Sequence, residues 1–132
     1  MSKDLSPQLY RVIDANLNRL KEGIRVIEDI ARYSQNNREI ASSLKTLRHK
    51  SQIDKTEQLL KSRDSVNDVL KKSVASEMNR SDLGSIIIAN YKRAQESSRV
   101  LEEMFKLIEP ELSENFKSIR YELYQLEKEH LS

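Results

Sequence analysis

An internal repeat written in helical spacing constrains this chain more than any other feature. The segment Ala15–Asp29 returns as Ala89–Glu103 at a constant offset of 74 residues, with no gap. Asn16/Asn90, Arg19/Arg93, Glu22/Glu96, Arg25/Arg99 and Glu28/Glu102 recur identically, and Asp29 becomes Glu103. Core positions drift instead: Leu17 becomes Tyr91, Leu20 becomes Ala94 and Ile24 becomes Ser98. Packing alone predicts the reverse, with apolar residues kept and charges drifting, so the repeat preserves polar chemistry. A second block, Leu44–His49, matches Phe116–Tyr121 at an offset of 72, so the turn between the blocks is two residues shorter in the second copy. Each half reads as a helical hairpin that cannot bury its apolar stripe alone, and the two must pack together. The expected fold is all-α: an antiparallel four-helix bundle built from a duplicated hairpin, with pseudo-two-fold internal symmetry.

The boundaries follow from caps and periodicity. Ser6-Pro7 is a helix start, and Ile13, Leu17, Leu20, Ile24, Ile27 and Ala31 then recur at bundle spacing to about Tyr33. Asn36 with Glu39 resembles a capping box for a second helix carrying Ile40, Leu44 and Leu47 and ending near Leu59-Leu60. Lys61 to Arg80 breaks the pattern and reads as a long connection, a length that in compact domains usually serves function. Ser81 is the expected cap of the third helix, and Glu109-Pro110-Glu111 separates it from the fourth. One domain results: repeat one over about 9–60, a central loop over about 61–80 and repeat two over about 81–131.

Composition narrows the function classes. With two glycines, two prolines and 5% aromatics, the chain suits helices rather than sheets. Without cysteine, thiolate catalysis, disulfides and zinc–thiolate sites are excluded, and with two histidines a histidine-rich metal site is excluded too. The net charge of +2 argues for neither nucleic acid nor a membrane surface as partner. No signal peptide or apolar run of spanning length is present, so a cytoplasmic protein is expected. Neither a P-loop nor a Gly-x-Gly-x-x-Gly motif occurs, so a bound nucleotide must be held by basic side chains, magnesium and helix ends.

The candidate chemistry lies on the repeated helices. Asn18, Glu22, Arg25, Asp29 and Arg32 form one polar stripe, copied as Lys92, Glu96, Arg99, Glu103 and Lys106. A solvated face laced with ion pairs has this look; so does a pocket between the first and third helices. Asn16 and Asn90 flank the apolar stripe, although asparagine is a poor helix former. They serve either as register-fixing buried amides or as pocket lining beside Arg19 and Arg93. Arg48, Arg63, Arg80 and Arg120 are further basic candidates. Asp64, Asp68 and Glu77 of the loop, with Glu28 and Glu102, are carboxylates of the kind that hold magnesium alongside substrate phosphate.

Taken in order, these residues resemble a known family. The motifs are Asp14-Ala15-Asn16-x-x-Arg19-x-x-Glu22-Gly23-x-Arg25-Val26-x-Glu28-Asp29, Leu44-Lys45-x-x-Arg48-His49, Arg63-Asp64-Ser65-x-x-Asp68-Val69, Glu77-x-x-Arg80, and Ala89-Asn90-x-x-Arg93-x-x-Glu96-x-x-Arg99-Val100-Leu101-Glu102-Glu103. They are similar to the alternative hydroxymethylpyrimidine-phosphate kinase domain of thiamine biosynthesis, often fused ahead of a thiamine-phosphate synthase barrel. The resemblance spans about Leu9 to Leu126 and implies ATP-dependent phosphorylation of the pyrimidine phosphate to its diphosphate, with magnesium. By the chemistry of these motif positions, Arg19, Arg25, Arg93, Arg99 and Arg63 are the groups expected to stabilise the transferring phosphoryl. Asn16, Asn90, Glu22, Glu96, Arg48 and Arg80 become substrate contacts, and Asp64, Asp68 and Glu77 metal contacts. The family carries a glycine after Asp68-Val69, where this chain has Leu70. A free-standing domain is expected, as a monomer or homodimer. The alternative is a non-catalytic helical partner of a separate thiamine-phosphate synthase.

Overall fold

The computed structural model describes residues 6–74, 78 and 80–132, and among these it is all-helical. Helix α1 spans Pro7–Asp29 and continues through a π-helical turn, Ile30–Ser34; α2 is Arg38–Lys50, α3 Thr56–Ser62, α4 Leu83–Phe105 and α5 Pro110–His130. α1 packs along α4, α2 lies against α1 and α5, α5 against α4, and α3 against the first half of α1.

Local chemistry sets the ends. Ser6 caps α1, its hydroxyl accepting from the Leu9 amide, with Pro7 already holding a helical φ. The cap of α2 is Asn37 rather than Asn36: the Asn37 side chain accepts from the Ile40 amide at 3.2 Å. Asn36 instead takes a left-handed φ of 51°, which asparagine tolerates better than most residues. α4 is capped by Asp82, not Ser81, in a reciprocal capping box with Ser85 (2.8 and 3.2 Å). The second helix ends at Lys50 instead of running on to Leu60. Arg48, His49 and Lys50 crowd its last turn, where the helix dipole favours cations, and Leu59 belongs to the separate α3.

The predicted stripes form the core. Ile13, Leu17, Leu20, Ile24 and Ile27 of α1 meet Ile87, Tyr91, Ala94, Leu101 and Phe105 of α4, all buried. Phe105 stacks on Phe116 of α5 with centroids 5.4 Å apart. The backbones of α1 and α4 come close at Gly23, where a Cβ would sit 3.2 Å from the Asn90 carbonyl oxygen and 3.7 Å from the Ala94 Cβ.

Two buried carboxylates close the two hairpins. Glu28 of α1 takes two hydrogen bonds from Arg48 of α2 (2.7 and 3.2 Å). Glu102 of α4 is held by Arg120 of α5 (3.0 and 3.4 Å) and by Arg99 one turn away (3.0 Å). Burial alone raises the Glu102 carboxyl, but the bonds from Arg99 and Arg120 outweigh it and leave its pKa lowered. A third link ties the chain's end to the first turn: Tyr91 Oη lies 2.8 Å from His130 Nδ1, and His130 Nε2 lies 2.6 Å from Gln35 Oε1. No helix among the described residues is long and apolar enough to cross a membrane.

Glu102→Ala leaves Arg120 enclosed without its partner. The expected loss in unfolding free energy is about 3 kcal/mol, measured by urea denaturation. Burial lowers the His130 pKa below its ordinary 6.5, so the unfolded chain binds more protons than the folded one in mild acid. Stability conferred by neutral His130 is therefore complete above about pH 6.5 and declines as pH falls toward the folded pKa. The urea midpoint should drop between pH 7.5 and 5.5, and His130→Asn should flatten that slope.

Candidate functional site

The N-terminal half of α1 and the chain leaving α3 enclose a cleft of about 470 Å³ lined by Gln8, Arg11, Asp14, Asn16, Arg19, Arg63, Asp64 and Asp68, among others. Its cornerstone is a two-point pair between residues 49 positions apart: Arg63 Nε and Nη2 donate to the two oxygens of Asp14, both at 2.7 Å. The Asp14 side chain is 7% exposed, and its bonds hold the already strongly basic Arg63 still further toward the charged form. Arg11 Nη2 donates to the Asp64 carbonyl at 2.8 Å. These bonds pin the start of the central connection onto α1, so that Asp64 and Asp68 stand across from Asn16 and Arg19.

The polar groups differ in what they leave available. Asn16 donates its amide to the Val12 carbonyl at 2.9 Å, one turn back. Arg19 is exposed at the cleft and makes no ion pair among the described residues. Asp64 accepts from the side chain and backbone amide of Asn67 (2.8 and 3.1 Å); these two bonds lower its carboxyl pKa, with Arg11 and Lys71 adding to the effect. Asp68 accepts from the Leu70 amide at 2.9 Å. Such turn bonds use one lone pair on an oxygen and leave others free. Among the described residues no group of three or more acidic or histidine side chains is placed to hold a metal ion. Magnesium that also takes substrate phosphate and water requires only one or two carboxylates, and Asp64 and Asp68 meet that requirement.

Of the residues singled out in the sequence, Asn16, Arg19, Arg63, Asp64 and Asp68 share this cleft. The others lie elsewhere. Arg25 pairs with Asp29 on its own helix (3.4 Å), and Arg99 with Glu102 and Glu103 (3.0 and 2.8 Å). Arg48 is committed to Glu28. Asn90 repeats the back-bond of Asn16, donating to Ile86 at 2.9 Å. Glu22 and Arg93 are exposed outside the cleft, Glu96 lines a separate shallow groove with Arg99 and Lys92, and Arg80 is exposed shortly before α4. Glu77 lies outside the described residues. Asp14 is the cleft residue that a search for repeated charges passes over, because its counterpart in the second copy is Ile88. Its signal was an acid next to Ile13 and three residues before Leu17, at the edge of a core stripe.

Residues 11–129 match the ThiD2 family. Among the chain's relatives are proteins named thiamine-phosphate synthase from three bacteria. The Nostoc sp. protein is 37% identical over 126 residues, covering 95% of this chain and 36% of that protein. The one from Synechocystis sp. is 40% identical over 120 residues (90% and 35%), and the one from Rhodopirellula baltica 38% over 129 residues (94% and 34%). The chain thus spans about a third of the length of the curated relatives it matches. No solved structure gives a significant match.

Replacing Asp14 by Asn removes the charge that holds Arg63. A charged hydrogen-bonded contact of this kind contributes about 1.5–3 kcal/mol. The helical circular dichroism should be unchanged, while trypsin should cut faster at Lys71 and Lys72 as the connection lifts from α1.

Proposed function

The chain belongs to the ThiD2 family, and from that membership we propose that it is a kinase of thiamine biosynthesis, converting hydroxymethylpyrimidine phosphate to its diphosphate with ATP. The carrying observation is the cleft itself, where arginines 11, 19 and 63 and carboxylates 64 and 68 converge on one space. The acceptor is a phosphate whose second pKa is about 6, so its oxygen is ionised at neutral pH and needs no strong general base. The task is to hold two anions in line. An oxygen of the substrate phosphate attacks the γ-phosphorus of ATP, the bond to the bridging oxygen breaks, and ADP leaves with that electron pair. Arg19, exposed at the cleft, stabilises charge on the transferring phosphoryl. Arg63, fixed by Asp14, positions the acceptor phosphate. Magnesium, when bound by Asp64 and Asp68, offsets negative charge between the two phosphate groups.

A second reading draws on the connection itself. Val69 and Leu70 are 93% and 84% exposed, and Leu70 stands where the resembled family carries a glycine. Such a surface also suits a non-catalytic partner that docks on a thiamine-phosphate synthase. That reading requires a complex at micromolar concentrations and no ATP turnover.

The test is direct: purified protein, magnesium, ATP and the pyrimidine phosphate, with diphosphate product followed by chromatography. Arg19→Ala should lower kcat/KM about 100-fold, which is roughly 2.7 kcal/mol of transition-state stabilisation, while the protein stays folded. Arg93→Ala, outside the cleft, should change it less than threefold. Full turnover in a folded Arg19→Ala protein counts against the assignment, and absence of product with the wild-type chain favours the partner reading.

A further inference from the structure

The turn joining α1 to α2 carries a groove of about 520 Å³ that the proposed reaction does not use. Its lining includes Arg32 of the π-helical turn, Asn36 with its left-handed backbone, Arg38 at the first position of α2, and Lys45 two turns on. None of the three cations forms an ion pair among the described residues; Arg32 lies over the ring of Tyr33, 4.9 Å from its centroid. Glu28 is the single acid in the lining, and its carboxylate is already neutralised by Arg48. Glu39, in the first turn of α2, does not line the groove. The Ile40 amide is taken by the Asn37 side chain, whereas the Arg38 amide has no acceptor among the described residues, as the opening of a helix leaves it. Three cations without an acidic partner among the described residues thus border one concavity.

The second repeat shows what the groove requires. Arg32 corresponds to Lys106 and Lys45 to Lys117, so both cations are kept in type. Lys106, however, is paired with Glu103 at 2.8 Å. Arg38 corresponds, at the offset of 72, to Pro110, which has neither a charge nor an N–H. The first copy alone sets three cations without acidic partners around one groove, on a turn two residues longer and wound partly as a π-helix, a geometry frequent at functional sites.

We propose that this groove is a second anion site, shaped for a diphosphate or a longer phosphate chain. Sixteen residues of helix separate Asn16 from Arg32, about 24 Å at 1.5 Å per residue, so a phosphate chain held here is not the one aligned beside Arg19 and Arg63. The proposal therefore stands apart from the kinase assignment.

The experiment is a titration of the full chain with pyrophosphate at constant ionic strength, followed by backbone amide NMR. Saturable shifts over residues 30–45 are expected. Arg38→Ala with Lys45→Ala should weaken that binding at least about tenfold, and Arg19→Ala should leave it unchanged. If the double variant does not fold, Lys45→Gln alone, on an exposed helix face, should weaken binding about threefold. Shifts that never saturate, that appear only around the cleft, or that survive the double variant overturn the proposal. A parallel titration with ADP separates the sources: tighter binding than pyrophosphate with a shift at Tyr33 identifies a nucleotide, and equal binding identifies the phosphate chain alone.

Discussion

Two buried carboxylates, each locked by an arginine from the neighbouring helix, are the constraint around which this bundle is arranged. A lone carboxylate at the depth of Glu28 or Glu102 is costly to bury, and an arginine that reaches it must arrive from one direction. The pair therefore selects a rotation and a register for α2 against α1, and for α5 against α4. Apolar burial supplies most of the stabilisation without choosing between nearly equivalent slides of one helix along another. The polar pairs make that choice, and the seam at Gly23 sets how closely the two hairpins meet.

This division of labour explains what was legible in the amino-acid order. The four long helices followed from stripes such as Ile13–Leu17–Leu20–Ile24, because burial on one face leaves a periodic record. The end of α2 did not, since Leu59 is buried against α1 by a separate short helix and so mimics a continuing stripe. Caps were displaced by one residue where two capping residues stand side by side, as at Asn36-Asn37 and Ser81-Asp82. The π-helical turn left no readable mark. At the site, charges repeated in both copies mixed two populations. Glu28, Arg48, Glu102 and Arg120 are repeated because both hairpins need closing, whereas Arg19 and Asn16 stand at a cleft. Repetition alone cannot separate these roles, because each is preserved for a physical reason.

The cleft depends on what the halves do not share. Asp14 has an isoleucine as its counterpart, and α3 has no equivalent in the second half. An acid in one copy and a short helix beside it suffice to bend the connection back onto α1 and to orient Arg63. The second copy lacks both.

The extra length of the first interhelical turn has a consequence of its own. In a protein made of two like hairpins, either turn is free to lengthen while the other preserves the packing of the whole. The longer turn is wound partly as a π-helix and sets Arg32 and Arg38 around a common hollow, whereas the opposite turn ends at Pro110. The bundle thus holds a corner whose length its core does not fix, where recognition can vary without disturbing the packed helices.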